Sequence, residues 1–211
     1  MTVWDERAPS YVESDAHREG ADLDQLVAWS AGAKTALDVA TGGGHVARRL
    51  REAGLEVVTC DPSPGMRADV ICRAEDLPFA DHSFDLVTCR VAAHHFEDVR
   101  RAVAEMGRVA ASRVLLVDTV NMGEQVEEAE KLRDPAHVRN YDEAEWRSFI
   151  AEAELSATEV RLFEQAFDVA AWLQRTGCEG TDAERALALL GGRARDGRLT
   201  LDRIAIRAEK D

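Results

Sequence analysis

The amino-acid sequence predicts a doubly wound α/β fold built on a mostly parallel sheet, and three observations predict it. Short β-rich runs alternate with helical stretches, the mark of βαβ units. Some runs, such as Val114-Leu115-Leu116-Val117, are continuously apolar, as strands buried on both faces are. A glycine-rich turn, Gly42-Gly43-Gly44, joins the first strand-like run to a helical one.

Taken in order, Thr35 to Ala40 reads as a strand and His45 to Ala53 as a helix closed by Gly54. Leu55 to Cys60 is a second strand and Ala68 to Cys72 a short third. Phe84 to Val91 is the fourth, followed by a helix over Glu97 to Val109 and a strand over Arg113 to Thr119. Gly123 to Arg133 is helical and Asp134 to Tyr141 a polar loop. Asp142, with Glu145 three residues on, starts a helix through Ala153 in the manner of a capping box. Strand-like Thr158 to Phe163, helical Val169 to Thr176 and Asp182 to Leu190, and strand-like Leu199 to Arg207 complete the chain with an antiparallel finish. Trp29, Trp146 and Trp172 fall at helical spacing and are expected in the core.

Composition bounds the function. The 211 residues carry 26 Lys plus Arg against 40 Asp plus Glu, a formal charge of −14. That excess weighs against a nucleic-acid partner, which demands a basic footprint to displace counterions. No run approaches the ~18 uninterrupted apolar residues of a membrane span, and the N-terminus lacks a basic segment followed by an apolar one. Cys60, Cys72, Cys89 and Cys178 form no C-x-x-C pair, so they read as thiols in a reducing, cytoplasmic setting and imply no metal site. One domain over 1–211 is expected, with 120–145 as a substrate-side cap.

The sharpest local signal is Asp38-Val39-Ala40-Thr41-Gly42-Gly43-Gly44-His45. Glycines between a strand and a helix let the backbone turn tightly and let a ligand approach it closely. Asp61 ends the next strand, 23 positions after Asp38, where a Rossmann-like sheet presents a carboxylate to ribose hydroxyls. The dinucleotide pattern G-x-G-x-x-G is absent, and a carboxylate at Asp38 would repel a pyrophosphate while accepting hydrogen bonds from an amino group. A zwitterionic, phosphate-free nucleoside is therefore favoured over a nicotinamide cofactor.

Several blocks in order carry a resemblance: Tyr11 to Leu26, Asp38 to Val46, Asp61-x-Ser63-x-x-Met66, Ala74-Glu75-Asp76-Leu77-Pro78-Phe79, Ser83-Phe84-Asp85, His94-His95-Phe96 and Arg133 to Tyr141. The sequence resembles the class I S-adenosylmethionine-dependent methyltransferases, in the small-molecule branch that includes the ubiquinone and menaquinone C-methyltransferases. The resemblance implies a Rossmann-like, seven-stranded, mostly parallel sheet with the last strand antiparallel. It also implies S-adenosylmethionine as cofactor. Ala40, Thr41, Gly42 and Gly44 would line its methionine and ribose, with Asp38 just before the turn. Asp61 and Pro62 would border the ribose, Met66 would pack on adenine, Ala74 and Glu75 would border its edge, and Arg90 would pass beside the methyl donor.

Two departures stand out. Arg73 occupies the place where the family usually has an acidic acceptor for the adenine amino group, and a guanidinium only donates. Only seven residues, Asp61 to Arg67, separate the second and third strands, too few for the usual crossover helix. The helix is expected to be missing and replaced by an extended Pro62-Ser63-Pro64-Gly65 segment, leaving a bare face for a homodimer contact or for the N-terminal segment.

For chemistry, methyl transfer from a sulfonium needs positioning more than a signature. His94 and His95 follow the fourth strand and are the candidate catalytic residues, one of them a base if the acceptor must lose a proton. Tyr11 and His17 are candidates to close over the cofactor, and Arg133, His137 and Tyr141 to bind an anionic or phenolic acceptor. The alternative reading is a methyltransferase-like protein that binds a nucleoside or partner, or runs another reaction on the same fold.

Overall fold

Alternation at period two decides which side chains reach which face of the sheet. The computed structural model describes Asp5 and residues 18–210; Tyr11 and His17 lie outside the described residues. Strand β1 (Thr35–Val39) sends Ala36 to one face and Leu37 and Val39 to the other. On the first face Ala36 meets α1 (Ala21–Trp29) and α2 (His45–Glu52) through Leu23, Leu26, Trp29, Val46 and Leu50. Leu23 and Leu26 are fully buried, each contributing roughly 1.5–3 kcal/mol. On the second face Leu37 and Val39 meet α3 (Val99–Val109) and α5 (Glu143–Glu152) through Val103, Met106, Trp146 and Phe149.

The remaining strands are β2 (Glu56–Asp61), β3 (Val70–Ile71), β4 (Phe84–Arg90), β5 (Ala110–Thr119), β6 (Ser156–Asp168), β7 (Ala194–Arg195) and β8 (Arg198–Glu209). Their order is β3-β2-β1-β4-β5-β8-β6, with the two-residue β7 attached to β8. β1 to β5 run parallel, and β8 runs antiparallel to both β5 and β6. The sheet is thus the expected seven-stranded one plus a short β7–β8 hairpin, closed by Asp196 and Gly197, both at positive φ as such turns require. From β1 the chain passes to β2 on one side and reaches β4 on the other, so the carboxyl ends of these three strands open a crevice.

The crossover helix between β2 and β3 is missing, as expected, but its replacement is not extended. Pro64–Met66 form a single 3₁₀ turn closed by Met66 N–H to Ser63 O at 3.1 Å and Arg67 N–H to Pro64 O at 3.1 Å. Proline pre-sets the φ that the first position of such a turn needs. The Asp5 carboxylate holds the turn from outside, accepting from Ser63 Oγ at 2.6 Å and Gly65 N–H at 3.0 Å. The edge is sealed by polar groups. Asp69 accepts from Thr59 N–H and Oγ, and these bonds hold its carboxyl below the usual range. Ile71 stays exposed at the β3 edge.

The C-terminal elements build a separate apolar cluster. Val126 and Ala129 of α4 (Glu124–Arg133) pack with Trp172 of α6 (Val169–Gln174), with Ala186 and Leu190 of α7 (Gly180–Leu190), and with Leu199 and Leu201 of β8. The expected capping box opens α5: Asp142 accepts from Glu145 N–H at 2.8 Å, and Glu145 from Asp142 N–H at 3.1 Å. Trp29, Trp146 and Trp172 are all buried. Among the described residues no helix is long and apolar enough to cross a membrane.

Candidate functional site

The crevice at the carboxyl ends of β1, β2 and β4 holds a cavity of about 220 Å³. The turn after β1 forms its floor. Asp38, the fourth residue of β1, is buried and does not line the cavity; its carboxylate accepts from Thr41 Oγ at 2.6 Å and Thr88 Oγ at 2.9 Å beneath the turn. Burial pushes its pKa up to about 6. Ala40, Thr41 and Gly42 line the cavity, and Gly44 caps α2 behind them at φ 72°. Gly42 lies at φ 51°, and a Cβ on it or on Gly44 would project into open space.

Two non-glycine residues of the lining share the left-handed conformation, Ala40 at φ 52° and Val91 at φ 55°. For β-branched Val91 this is a real outlier, costing about 1–3 kcal/mol, and such strain gathers at functional sites. The turn at the end of β4 is held in place by Val91 N–H to Val117 O at 2.7 Å.

Asp61, at the end of β2, faces the glycine turn. One carboxylate oxygen accepts from Gly42 N–H at 3.0 Å and the other from Ser63 N–H at 2.9 Å. Burial raises its pKa, and these two bonds oppose the rise. Each oxygen keeps a further lone pair, so the donor set suits a vicinal diol. Pro62 and Met66 continue the wall from the 3₁₀ turn, and Ala74 and Glu75 complete it from the segment after β3.

Arg73 lines the cavity without blocking it. Its guanidinium turns to Glu97 at 3.0 Å and Glu75 at 3.3 Å. Glu75 makes its hydrogen bonds at Oε1, which also accepts from Glu97 N–H at 3.1 Å, and this leaves Oε2 for a ligand amino group. The residues present therefore fit an adenosine with a charged tail.

The histidines divide. His94 lies in a one-turn 3₁₀ segment, Ala93–His95, with Nδ1 at 2.5 Å from Asp118 Oδ1, and Asp118 also accepts from its N–H at 3.0 Å. Burial opposes protonation of His94, but Asp118 outweighs it and raises the pKa. His95 lines the cavity, with its ring centroid 4.1 Å from that of His94. Burial, then the neighbouring His94, push its pKa down to about 3. Its Nδ1 lies 3.0 Å from Ala136 O, which only accepts. Nδ1 thus carries the proton and Nε2 the lone pair of the neutral ring.

Arg133, His137 and Tyr141, the expected acceptor-binding residues, do not line this cavity. Arg133 donates to Trp172 O at 3.1 Å and stacks 4.8 Å over its ring. His137 Nε2 pairs with Glu127 at 3.2 Å, and Tyr141 packs edge-on against Trp146 and Phe149. These groups brace one another because each found a partner in the C-terminal half, which no local motif encodes. Sequence reasoning also missed Asp118 and Asp22, which hold His94 and Arg90; single acids in an apolar strand and a helix gave no signal. Among the described residues no group of three or more His, Cys, Asp or Glu could hold a metal ion.

This strand order, with the glycine turn and the cleft at the switch point, defines the methyltransferase type of Rossmann-like fold. Residues 37–117 match the family described as Methyltransferase domain. YcgJ of Bacillus subtilis, an uncharacterised methyltransferase, is 32% identical over 209 residues, covering 87% of this chain and 81% of its own. The crystal structure of YcgJ gives a TM-score of 0.80 at 26% identity, over 90% of this chain and 97% of that one. Demethylmenaquinone methyltransferase of Renibacterium salmoninarum is 37% identical over 123 residues, so this chain, at 52% of that enzyme, spans about half its length. The chain belongs to the class I S-adenosylmethionine-dependent methyltransferases.

Proposed function

We propose that the cleft binds S-adenosylmethionine and that the enzyme transfers its methyl group to a small-molecule acceptor entering under residues 120–145. The carrying observation is that Gly42, Asp61, Met66, Glu75 and Arg90, from five separate segments, line one cavity. Asp61 would take the ribose hydroxyls on its remaining lone pairs, Met66 would pack on adenine, and Glu75 Oε2 would accept from the adenine amino group. Ala40 to Gly42 leave room for the methionine half, and Asp38 beneath them keeps the turn in shape. The bound sulfonium supplies an already activated methyl group, so the protein's task is alignment and exclusion of water.

His95 lines the same cavity and would face the acceptor side of it. A ring with a pKa near 3 is too weak a base to strip a hydroxyl at neutral pH, so we give it the task of orienting the acceptor through Nε2. His94, itself fixed by Asp118, packs against its ring. The acceptor is better read as uncharged than as anionic, since Arg133 and Arg139 are already paired with Glu130 and Glu145. The four cysteines, all free thiols, suit a cytoplasmic enzyme, and we assign the β3 edge, where Ile71 is exposed, to a homodimer contact.

Calorimetric titration with S-adenosylmethionine and S-adenosylhomocysteine, with Asp61→Ala as control, tests the reading. Micromolar binding in the wild type, weakened roughly 100-fold in the variant, is expected from loss of two charge-assisted hydrogen bonds. No binding up to millimolar ligand sinks the reading.

A further inference from the structure

Four thiols are spread over the sequence without a pairing motif, yet the fold brings two of them together. β2 and β3 run parallel, with Cys60 opposite Val70 and Asp61 opposite Ile71. Cys72 N–H donates to Asp61 O at 3.3 Å and carries the ladder one step past β3. Cys72 lies two residues after Val70, so it points to the same face of the sheet as Cys60. Both pack into the apolar cluster that α3 and α5 cover. Cys60 is 1% exposed, whereas Cys72 is half-buried and within reach of a small solute.

Each of these thiols is the largest influence on the other. A side-chain hydrogen bond with Cys60 holds the Cys72 thiol below its ordinary range, against burial and the charges of Asp61 and Asp76. The same bond, with burial second, pushes the Cys60 thiol up. The pair is asymmetric: a half-buried sulfur that ionises readily beside a buried one that keeps its proton. Both also border the cleft. Cys60 Sγ accepts from Ala40 N–H and Cys60 O from Thr41 N–H at 3.0 Å, so this residue holds the start of the glycine turn. Cys72 leads directly into Arg73, Ala74 and Glu75, which line the cavity.

We infer that Cys60 and Cys72 are a modification site, a pair that a hydroperoxide converts to a reversible disulfide and that thereby loosens the cleft's hold on its ligand. The effect on binding rests on the proposed cofactor; the cross-link does not. The Cys72 thiolate attacks one oxygen of hydrogen peroxide, the O–O bond breaks, and the sulfur becomes a sulfenic acid. The departing hydroxide recovers, as water, the proton that Cys72 gave to solvent. The Cys60 sulfur then attacks the sulfenic sulfur, the S–O bond breaks, and hydroxide leaves with the Cys60 proton as a second water. Two thiols have lost two electrons and two protons, and one peroxide has become two waters. A disulfide holds its sulfurs about 2.05 Å apart, so the new bond draws Cys60 toward Cys72 and away from Ala40. Ala40 sits at φ 52°, a conformation that its surroundings must hold, and the turn loses one of its holders. By linkage, a ligand in the cleft disfavours the cross-link by the same factor.

The test starts with hydrogen peroxide on the purified protein, non-reducing digestion and mass spectrometry. A cross-linked Cys60–Cys72 peptide, lighter than its two thiol peptides by two hydrogens and reversed by dithiothreitol, is expected. By calorimetry, S-adenosylhomocysteine is expected to bind the oxidised protein at least fivefold more weakly than the reduced one, with dithiothreitol restoring the affinity. Cys72→Ser is expected to abolish both the cross-link and the loss of affinity. Cys178→Ser, which removes a thiol lying 3.8 Å from Leu132 O, is expected to change neither. Should Cys72→Ser not fold, Cys60→Ala carries the same comparison. Sulfinic acid at Cys72 without the cross-link, or a cross-link that leaves affinity within twofold, overturns the inference. A reduced wild type that binds no S-adenosylhomocysteine removes the cofactor reading instead, and the disulfide still stands or falls by mass.

Discussion

The half of the sheet from β1 to β4 and the half from β5 to β8 treat their polar groups in opposite ways. In the first, Asp61, Glu75 and His95 are fixed by backbone groups on one side and line the cavity on the other. In the second, Arg133, Glu130, His137 and Glu127 pair with one another and close over Trp172. Backbone groups orient a side chain without using up its capacity for a ligand, whereas side-chain pairs consume it. The proposed function divides along the same line: a first half that would hold the ligand, and a second half whose polar groups are spent on one another.

The largest expected effect separates the halves by stability. Trp172→Ala removes the ring under Arg133 and opens a cavity among Val126, Ala186 and Leu199, a change that costs about 3–5 kcal/mol for a large aromatic. Thermal unfolding followed by near-ultraviolet circular dichroism is expected to show that loss. Affinity for S-adenosylhomocysteine at 15 °C is expected to stay within threefold, because no residue of this cluster lines the cleft. If affinity collapses in folded protein, the two halves are not separable and the comparison fails.

A smaller effect sharpens the contrast on the ligand side through pH. Asp38 has a folded pKa of about 6, raised by burial above its ordinary value of 3.8. Between those values the folded state binds more protons than the unfolded one, so stability falls as pH rises from 4 to 6 and stays reduced at pH 7. Asp38→Asn keeps a partner for Thr41 and Thr88, whose hydroxyls both donate and accept. The variant is expected to melt above the wild type at pH 7, with the gap closing below pH 4. A variant that melts below the wild type at pH 7 shows that the carboxylate's hydrogen bonds outweigh its desolvation. Retaining an acid at such a position suits a turn that must keep one shape beneath the cationic ligand proposed for the cleft.

The same contrast explains what could be read in the sequence. The turn from Asp38 to His45 was legible because its chemistry is local: positive φ, a strand before it and a helix after it. Asp61 was legible for the same reason, through its distance from that turn, and Met66 through the family resemblance. The doubly wound α/β class followed from alternation of strands and helices, the seven-stranded sheet from the family resemblance, and the missing crossover helix from a count of residues. The form of its replacement did not, because Asp5, nearly sixty residues away, helps to hold the 3₁₀ turn. Arg133, His137 and Tyr141 look like ligand-binding residues in any linear reading. Whether they meet a ligand or each other depends on Glu130, Glu127 and Trp146, partners set by packing alone. Asp22 and Arg203, 181 positions apart, are the extreme case.

The smallest expected effect concerns Arg73, the residue that most challenged a cofactor site on sequence grounds. A guanidinium cannot accept from an adenine amino group, but Glu75 beside it keeps its Oε2 as an acceptor, the role proposed for it above. Glu75 is held by Glu97 N–H and Asp98 N–H, and its carbonyl by Arg101 Nε at 2.7 Å, so its position does not rest on Arg73. Arg73 itself is half exposed, and its pairs with Glu97 and Glu75 belong to the class of surface ion pairs that contribute little. Arg73→Ala is therefore expected to change affinity for S-adenosylhomocysteine by less than about threefold, against roughly tenfold or more for Glu75→Ala. Arg73→Asp is expected to weaken binding, since it would set a third carboxylate beside Glu75 and Glu97 and draw Glu75 out of register. A tenfold loss in Arg73→Ala would mean that the guanidinium itself meets the base, donating to a ring nitrogen, and the adenine edge would then be read by the very residue the family pattern lacks.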